Sequence, residues 1–190
     1  MKKIKLGFAL CGSFCTLEKS IDKMRELANE NYDIVPIMSF NAYNLDTRFG
    51  KAKDFIKKIE NISGKKVLNS LTEVEPIGPK NLTDIMLVCP CTGNTLEKIC
   101  RASSDTPVSL AVKSHLRVQK PVVIFLATND ALGASAVNLG AALNTKHIYF
   151  VPMSQDDHLK KPKSLVSHFD LVSKTIEFAL EHKQIQPIFR

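Results

Sequence analysis

The chain has 190 residues, of which 44% are hydrophobic and 24% charged, and a formal net charge of +7. That composition suits a soluble globular protein of one domain, 1–190, and no run of about 18 apolar residues is available to span a membrane. Lysines are scattered, aromatics are 7% with no Trp, and no aromatic–basic interleaving of the kind that stacks bases is present, so the excess charge points to anionic ligands rather than nucleic acid.

Met1-Lys2-Lys3 leads into only a short apolar run with no A-x-A-like site, which argues against a signal peptide. The five cysteines, Cys11, Cys15, Cys89, Cys91 and Cys100, fit a reducing cytoplasm. Neither Cys11/Cys15 nor Cys89/Cys91 has metal-ligand spacing, so they read as small fillers near tight loops and no metal site is expected.

An apolar run from Ile4 to Leu10 predicts a strand, followed by the small turn Cys11-Gly12-Ser13. A helix is predicted from about Thr16, as its cap, to Glu30, with Leu17, Ile21, Met24 and Ala28 on one face. A strand turning into a helix through small residues is also how α/β proteins present backbone N–H groups to an anion. Ile34 to Met38 predicts a second strand, and Pro36 suits an edge position. Ser39 ends it, and a polar loop follows from Asn41 to Arg48. Arg48 is a candidate grip for a carboxylate, or a plain surface residue.

Phe49, Ala52, Phe55, Ile56, Ile59 and Ile62 predict a helix that Gly64 stops. Val67-Leu68 is a short strand candidate, and Ser70 to Asn81 reads as loop. Ile85 to Val88 predicts a strand buried on both faces, leading into the turn Pro90 to Thr95 and a helix through Leu96, Ile99 and Cys100. Ser103 to Pro107 is another helix start, before a face of Val108, Ala111, Val112, His115 and Leu116. Val122 to Ala127 predicts the strongest strand, then Thr128-Asn129-Asp130 and an Ala-rich helix to about Asn144. His147 to Pro152 is read as a last strand, Met153 to Lys163 as loop, and Ser164 to about His182 as a final helix. None of the five histidines pairs with Cys or carboxylate at ligand spacing, and His115 reads as a packing residue.

Alternating strands and helices predict an α/β fold: a three-layer, Rossmann-like (flavodoxin-like) parallel sheet with helices on both faces. Ligands bind beyond the carboxyl ends of strands in such sheets. Gly12-Ser13, Ser39, Pro90 to Thr95 and Thr128-Asn129 all fall there. Together they predict a pocket rich in hydroxyl, amide and backbone donors, suited to a phosphorylated ligand.

Pro90-Cys91-Thr92-Gly93-Asn94-Thr95 resembles the P-A-S-A-N-T motif of the homo-oligomeric flavin-containing Cys decarboxylases. Gly12-Ser13, Ser39 and Ser104-Asp105 fall where that family places flavin contacts, and the resemblance covers nearly the whole chain. It implies an FMN site, with Ser13, Ser39 and the Gly12 backbone at the phosphate and Asn94 and Thr95 at the isoalloxazine. Thr92, Gly93, Ser104, Asp105 and Asn129 complete the implied cofactor set. A trimer or dodecamer is implied as well.

Two departures matter. No His precedes His115, so the family's upstream catalytic His is missing, and the P-x-M-N-x-x-M-W signature is reduced to Ala127-Thr128-Asn129-Asp130-Ala131-Leu132. Both argue against cysteine decarboxylation. Thr47 to Gly50, Asn129 to Gly133 and Tyr149 to Pro152 resemble instead a branch of the family found in spore-forming bacteria. That likeness implies a subunit in the mother-cell cytoplasm that oxidises a dihydrodipicolinate-type precursor to dipicolinate, a small anionic dicarboxylate. Its implied partner is a second protein chain carrying NADP or NAD. Asn94 and Arg48 are then the candidates for holding substrate. A non-catalytic partner with an idle phosphate pocket and a flavin decarboxylase are the competing readings.

Overall fold

A computed structural model describes residues 3–190. Five parallel strands, β1 (Ile4–Leu10), β2 (Tyr32–Met38), β3 (Ile85–Cys91), β4 (Val122–Thr128) and β5 (Ile148–Phe150), lie in the order β2-β1-β3-β4-β5. Two short strands, β6 (Met153–Ser154) and β7 (Leu165–Ser167), join antiparallel, β7 against Ala127 and Thr128 at the end of β4.

The central strands are apolar throughout because both faces are covered. Leu6, Phe8 and Leu10 of β1 and Ile85 and Leu87 of β3 face one layer, made by α1 (Phe14–Asn29), α3 (Ala52–Ser63) and α8 (Val172–Leu180). Ala9 of β1 and Met86 and Val88 of β3 face the other, made by α5 (Gly93–Cys100), α6 (Pro107–Arg117) and α7 (Ala136–Leu143). Successive side chains of a strand point to opposite faces, which produces that alternation. β2 is an edge strand, so Pro36 costs the sheet no interior bond.

The sheet is mixed rather than wholly parallel. Leu165 and Val166 do not open the last helix; they form β7, and α8 starts only at Val172. β5 and β7 share one edge of β4. The Ser167 hydroxyl spans their junction, accepting from Leu126 N–H at 2.9 Å and donating to the Val151 carbonyl at 3.1 Å. Elsewhere, α1 begins at Phe14, two residues before Thr16, which is buried. Asn41 lies within a short helix, α2 (Phe40–Asn44), rather than in loop. Ser70 and Glu73 form a capping box that starts α4 (Leu71–Val74) inside the segment read as loop. Leu68 makes a single bridge to Ile37, not a strand. Gly64 stops α3 at φ +66°.

Candidate functional site

The ends of β2, β1 and β3 are tied side by side by backbone bonds. Ser39 N–H donates to the Leu10 carbonyl at 2.9 Å and Cys11 N–H to the Pro90 carbonyl at 3.2 Å. These bonds gather the corners that follow each strand into one hollow of about 290 Å³, lined by Gly12, Ser39, Phe40, Asn41, Thr92, Asn94, Thr95, Lys98 and Thr106.

Three of these residues are helix caps. Ser39 caps α2, its hydroxyl accepting from Ala42 N–H at 3.3 Å, which leaves its own proton to donate. Thr92 caps α5, accepting from Thr95 N–H at 3.2 Å and donating to the Thr95 hydroxyl at 3.1 Å. Thr106 caps α6 and accepts from Ser109 N–H at 3.2 Å. The first amides of each helix lack an intrahelical partner, and each N-terminus carries the positive end of a dipole. Gly12, at the turn into α1, supplies a fourth helix start. A Cβ there would lie 3.6 Å from Asn41 Cβ, so a side chain would narrow the hollow rather than break the fold.

The donor set fits an anion. Hydroxyls, two carboxamides, backbone N–H groups and the cation Lys98 converge, with no carboxylate in the lining. Such a set fits the phosphate and polar chain of a flavin mononucleotide, and Phe40, exposed at the mouth, offers a ring face. Asn94 and Lys98 are spaced one helical turn apart on α5 and both line the hollow. Asp105 joins the site indirectly, through an ion pair with Lys98. That ammonium holds the Asp105 carboxyl below the usual range.

The expected site residues divide accordingly. Gly12, Ser39, Thr92, Asn94 and Thr95 meet in the hollow. Ser13 adjoins Gly12 but turns its hydroxyl to Thr16 Oγ1 at 2.7 Å. Gly93 lies behind the wall, against Thr128, Asp130 and Ser135. Ser104 borders a separate groove with Glu75, Ser114 and Arg117. Asn129 borders another with Lys160, Lys161 and Lys163. Arg48 is exposed, its guanidinium 4.9 Å from the centre of the Phe49 ring. Lys98, Thr106, Phe40 and Asn41 are the lining residues that the motifs did not single out. The signal for Thr106 was its place before Pro107, and for Lys98 its spacing from Asn94.

Three thiols behind the rim, Cys11, Cys89 and Cys91, are buried. Burial pushes Cys11 up to about 11 and Cys89 up to about 12, and raises Cys91 well above the ordinary range. Among the described residues no group of three or more His, Cys, Asp or Glu is arranged to hold a metal. His115 packs internally. Its Nε2 must donate to the Pro121 carbonyl at 3.1 Å, so its Nδ1 accepts from Thr83 Oγ1 at 3.2 Å. No helix is long and apolar enough to cross a membrane among the described residues.

The Flavoprotein family model matches residues 1–168. The dipicolinate synthase B subunit of Bacillus subtilis (strain 168) is 43% identical over 188 residues, covering 99% of this chain and 94% of that one. The crystal structure of the dipicolinate synthase B subunit from Bacillus halodurans superposes with a TM-score of 0.90 at 37% identity, over 100% of this chain and 98% of that one. The FMN-dependent cysteine decarboxylase SpaF shares the fold, with a TM-score of 0.71 at 18% identity over 95% of this chain and 97% of its own. A family match over most of the chain, together with a nearly full-length relative and a site built at the strand ends, places this protein in the Flavoprotein family.

Proposed function

We propose that this chain works as the B subunit of a dipicolinate synthase. With an A subunit carrying NADP or NAD, it oxidises a dihydrodipicolinate-type precursor to dipicolinate in the mother cell of a sporulating bacterium. The observation that carries the reading is the 43% identity to the B. subtilis dipicolinate synthase chain along 99% of this one. The hollow supports it chemically, because both an FMN phosphate and a dicarboxylate call for an anion-binding rim.

In this reading Ser39 and the helix starts at Gly12, Thr92 and Thr106 hold the phosphate of FMN. When bound, FMN supplies a hydride acceptor. Asn94 donates from its amide to a substrate carboxylate or a ring carbonyl, fixing orientation without taking a proton. Phe40 shields one side of the mouth from water. Homo-oligomers complete the proposal, supported by exposed apolar side chains such as Val137 and Leu132 on the α7 side.

Aromatisation also removes a proton, and Lys98 is the one titratable side chain among the lining residues. That favours a second reading in which the A subunit carries the redox step and this chain binds and orients. Reconstituting the two subunits with and without added FMN, and measuring dipicolinate formation, separates them. A strict FMN requirement supports the first reading and equal rates the second. No stimulation of the A subunit in either case overturns both.

A further inference from the structure

The ion pair between Lys98 and Asp105 crosses from α5 to the residue before the Thr106 cap of α6. Its two ends are unequal. The Lys98 side chain is 26% exposed and lines the hollow, whereas Asp105 is 59% exposed and lies outside the lining. No other lining residue carries a charge. The rest of the rim is neutral donors at helix starts, so a fully bound phosphate monoester, with a charge of about −1.5 to −2, meets one formal counter-charge.

We propose that Lys98 is the counter-charge for the phosphate of the bound ligand, and that the exposed carboxylate of Asp105 competes for it. The inference rests on the flavin-site reading and deepens it: Lys98 sets the preference for a phosphorylated flavin over its unphosphorylated form. Two features place the cation for this. Lys98 lies one turn along α5 from Asn94, so both side chains reach the same hollow. Three-quarters burial also strengthens its attraction to an anion relative to bulk water. The exposed carboxylate of Asp105 is a partner that a dianion can displace, because an exposed ion pair is worth little.

The test is titration of purified protein with FMN and with riboflavin, followed by flavin fluorescence. The wild type is expected to prefer FMN, and Lys98→Met to weaken FMN binding by about 10- to 100-fold, the value of one charge-assisted bond. Riboflavin binding should stay within about twofold, which also verifies the fold. Asp105→Asn should tighten FMN, since the competitor is gone. A Lys98→Met variant with wild-type FMN preference overturns the inference and leaves the flavin reading standing. So does an Asp105→Asn variant that loses FMN as Lys98→Met does, because the pair is then structural. A variant that binds FMN normally but loses dipicolinate reassigns Lys98 to a carboxylate and overturns the phosphate assignment. A wild type that binds neither flavin overturns the flavin reading and the inference together.

Discussion

Gly93 and Asp130 pack with no room for a methyl group between them. A Cβ on Gly93 would lie 3.0 Å from Asp130 Oδ1 and 2.9 Å from the hydroxyls of Thr128 and Ser135. Those groups cannot step aside, because Asp130 accepts from Thr128 Oγ1 at 2.6 Å and from Ser135 Oγ at 2.9 Å. The same bonds hold the Asp130 carboxyl below its usual range. Gly93→Ala is therefore expected to cost about 1–3 kcal/mol by overpacking. At roughly 2–4 °C per kcal/mol for a chain of this size, thermal unfolding should shift down by several degrees. An unchanged Tm would show that α5 is not pinned against the β4–α7 connection.

Asn94 is exposed on the rim, so Asn94→Ala should leave the melting temperature within about 1–2 °C, as surface changes do. Flavin retention or synthase activity should fall by about tenfold or more, the scale of one lost bond to a charged or polarised group. Arg48→Ala and Asn129→Ala serve as contrasts, since neither residue lines the hollow. Both should bind FMN as the wild type does. Loss of binding in either contrast, with Asn94→Ala normal, would move the site elsewhere.

His115 makes the fold sensitive to mild acid. Burial, more than the nearby Lys120, lowers it to about 4 from an ordinary 6.5. The unfolded chain takes up the proton below about 6.5, while the folded chain refuses it until about 4. Stability is thus complete above the unfolded value and is lost as pH falls through that window, by on the order of 3 kcal/mol in total. Denaturant unfolding between pH 7 and 4 should show this slope, and His115→Gln should flatten it. A slope of equal size in the variant would assign the acid sensitivity to other groups.

Thiol labelling checks the reading of the cysteines as packing residues. Cys15 is exposed, Cys100 half-buried and raised by burial, and Cys11, Cys89 and Cys91 are enclosed. A disulfide reagent at pH 8 should label one thiol rapidly in native protein and the remainder only as it unfolds, because burial suppresses the thiolate. Rapid reaction of two or more thiols would mean that the strand ends open readily.

Much of the architecture follows from local chemistry. Continuous apolar runs such as Ile85 to Val88 have no solvated face, so they must lie between two layers of helices, and each ends in small capping residues. The helix start at Thr106, before Pro107, and the stop at Gly64 have the same local origin, whereas the five residues of α2 after Ser39 carry no such signal. The family resemblance of Pro90 to Thr95 pointed to the same rim. β7 was not legible, because Leu165, Phe169, Val172 and Ile176 repeat at helical intervals while Leu165 and Val166 are drawn into the sheet by pairing with Ala127 and Thr128, about forty residues away.

That the long apolar runs become strands, and that small hydroxyl-bearing corners follow them, is written into the chain itself, since burial periodicity and capping act within a few residues of each other. Which corners share a hollow is settled by tertiary packing alone. The order β2-β1-β3-β4 brings together the turns after the first three strands and leaves Asn129, beyond β4, facing another groove. Packing of α5 on α6 then adds Lys98 and Thr106 to the rim. Adjacency of strands is set by long-range pairing, which no local pattern encodes.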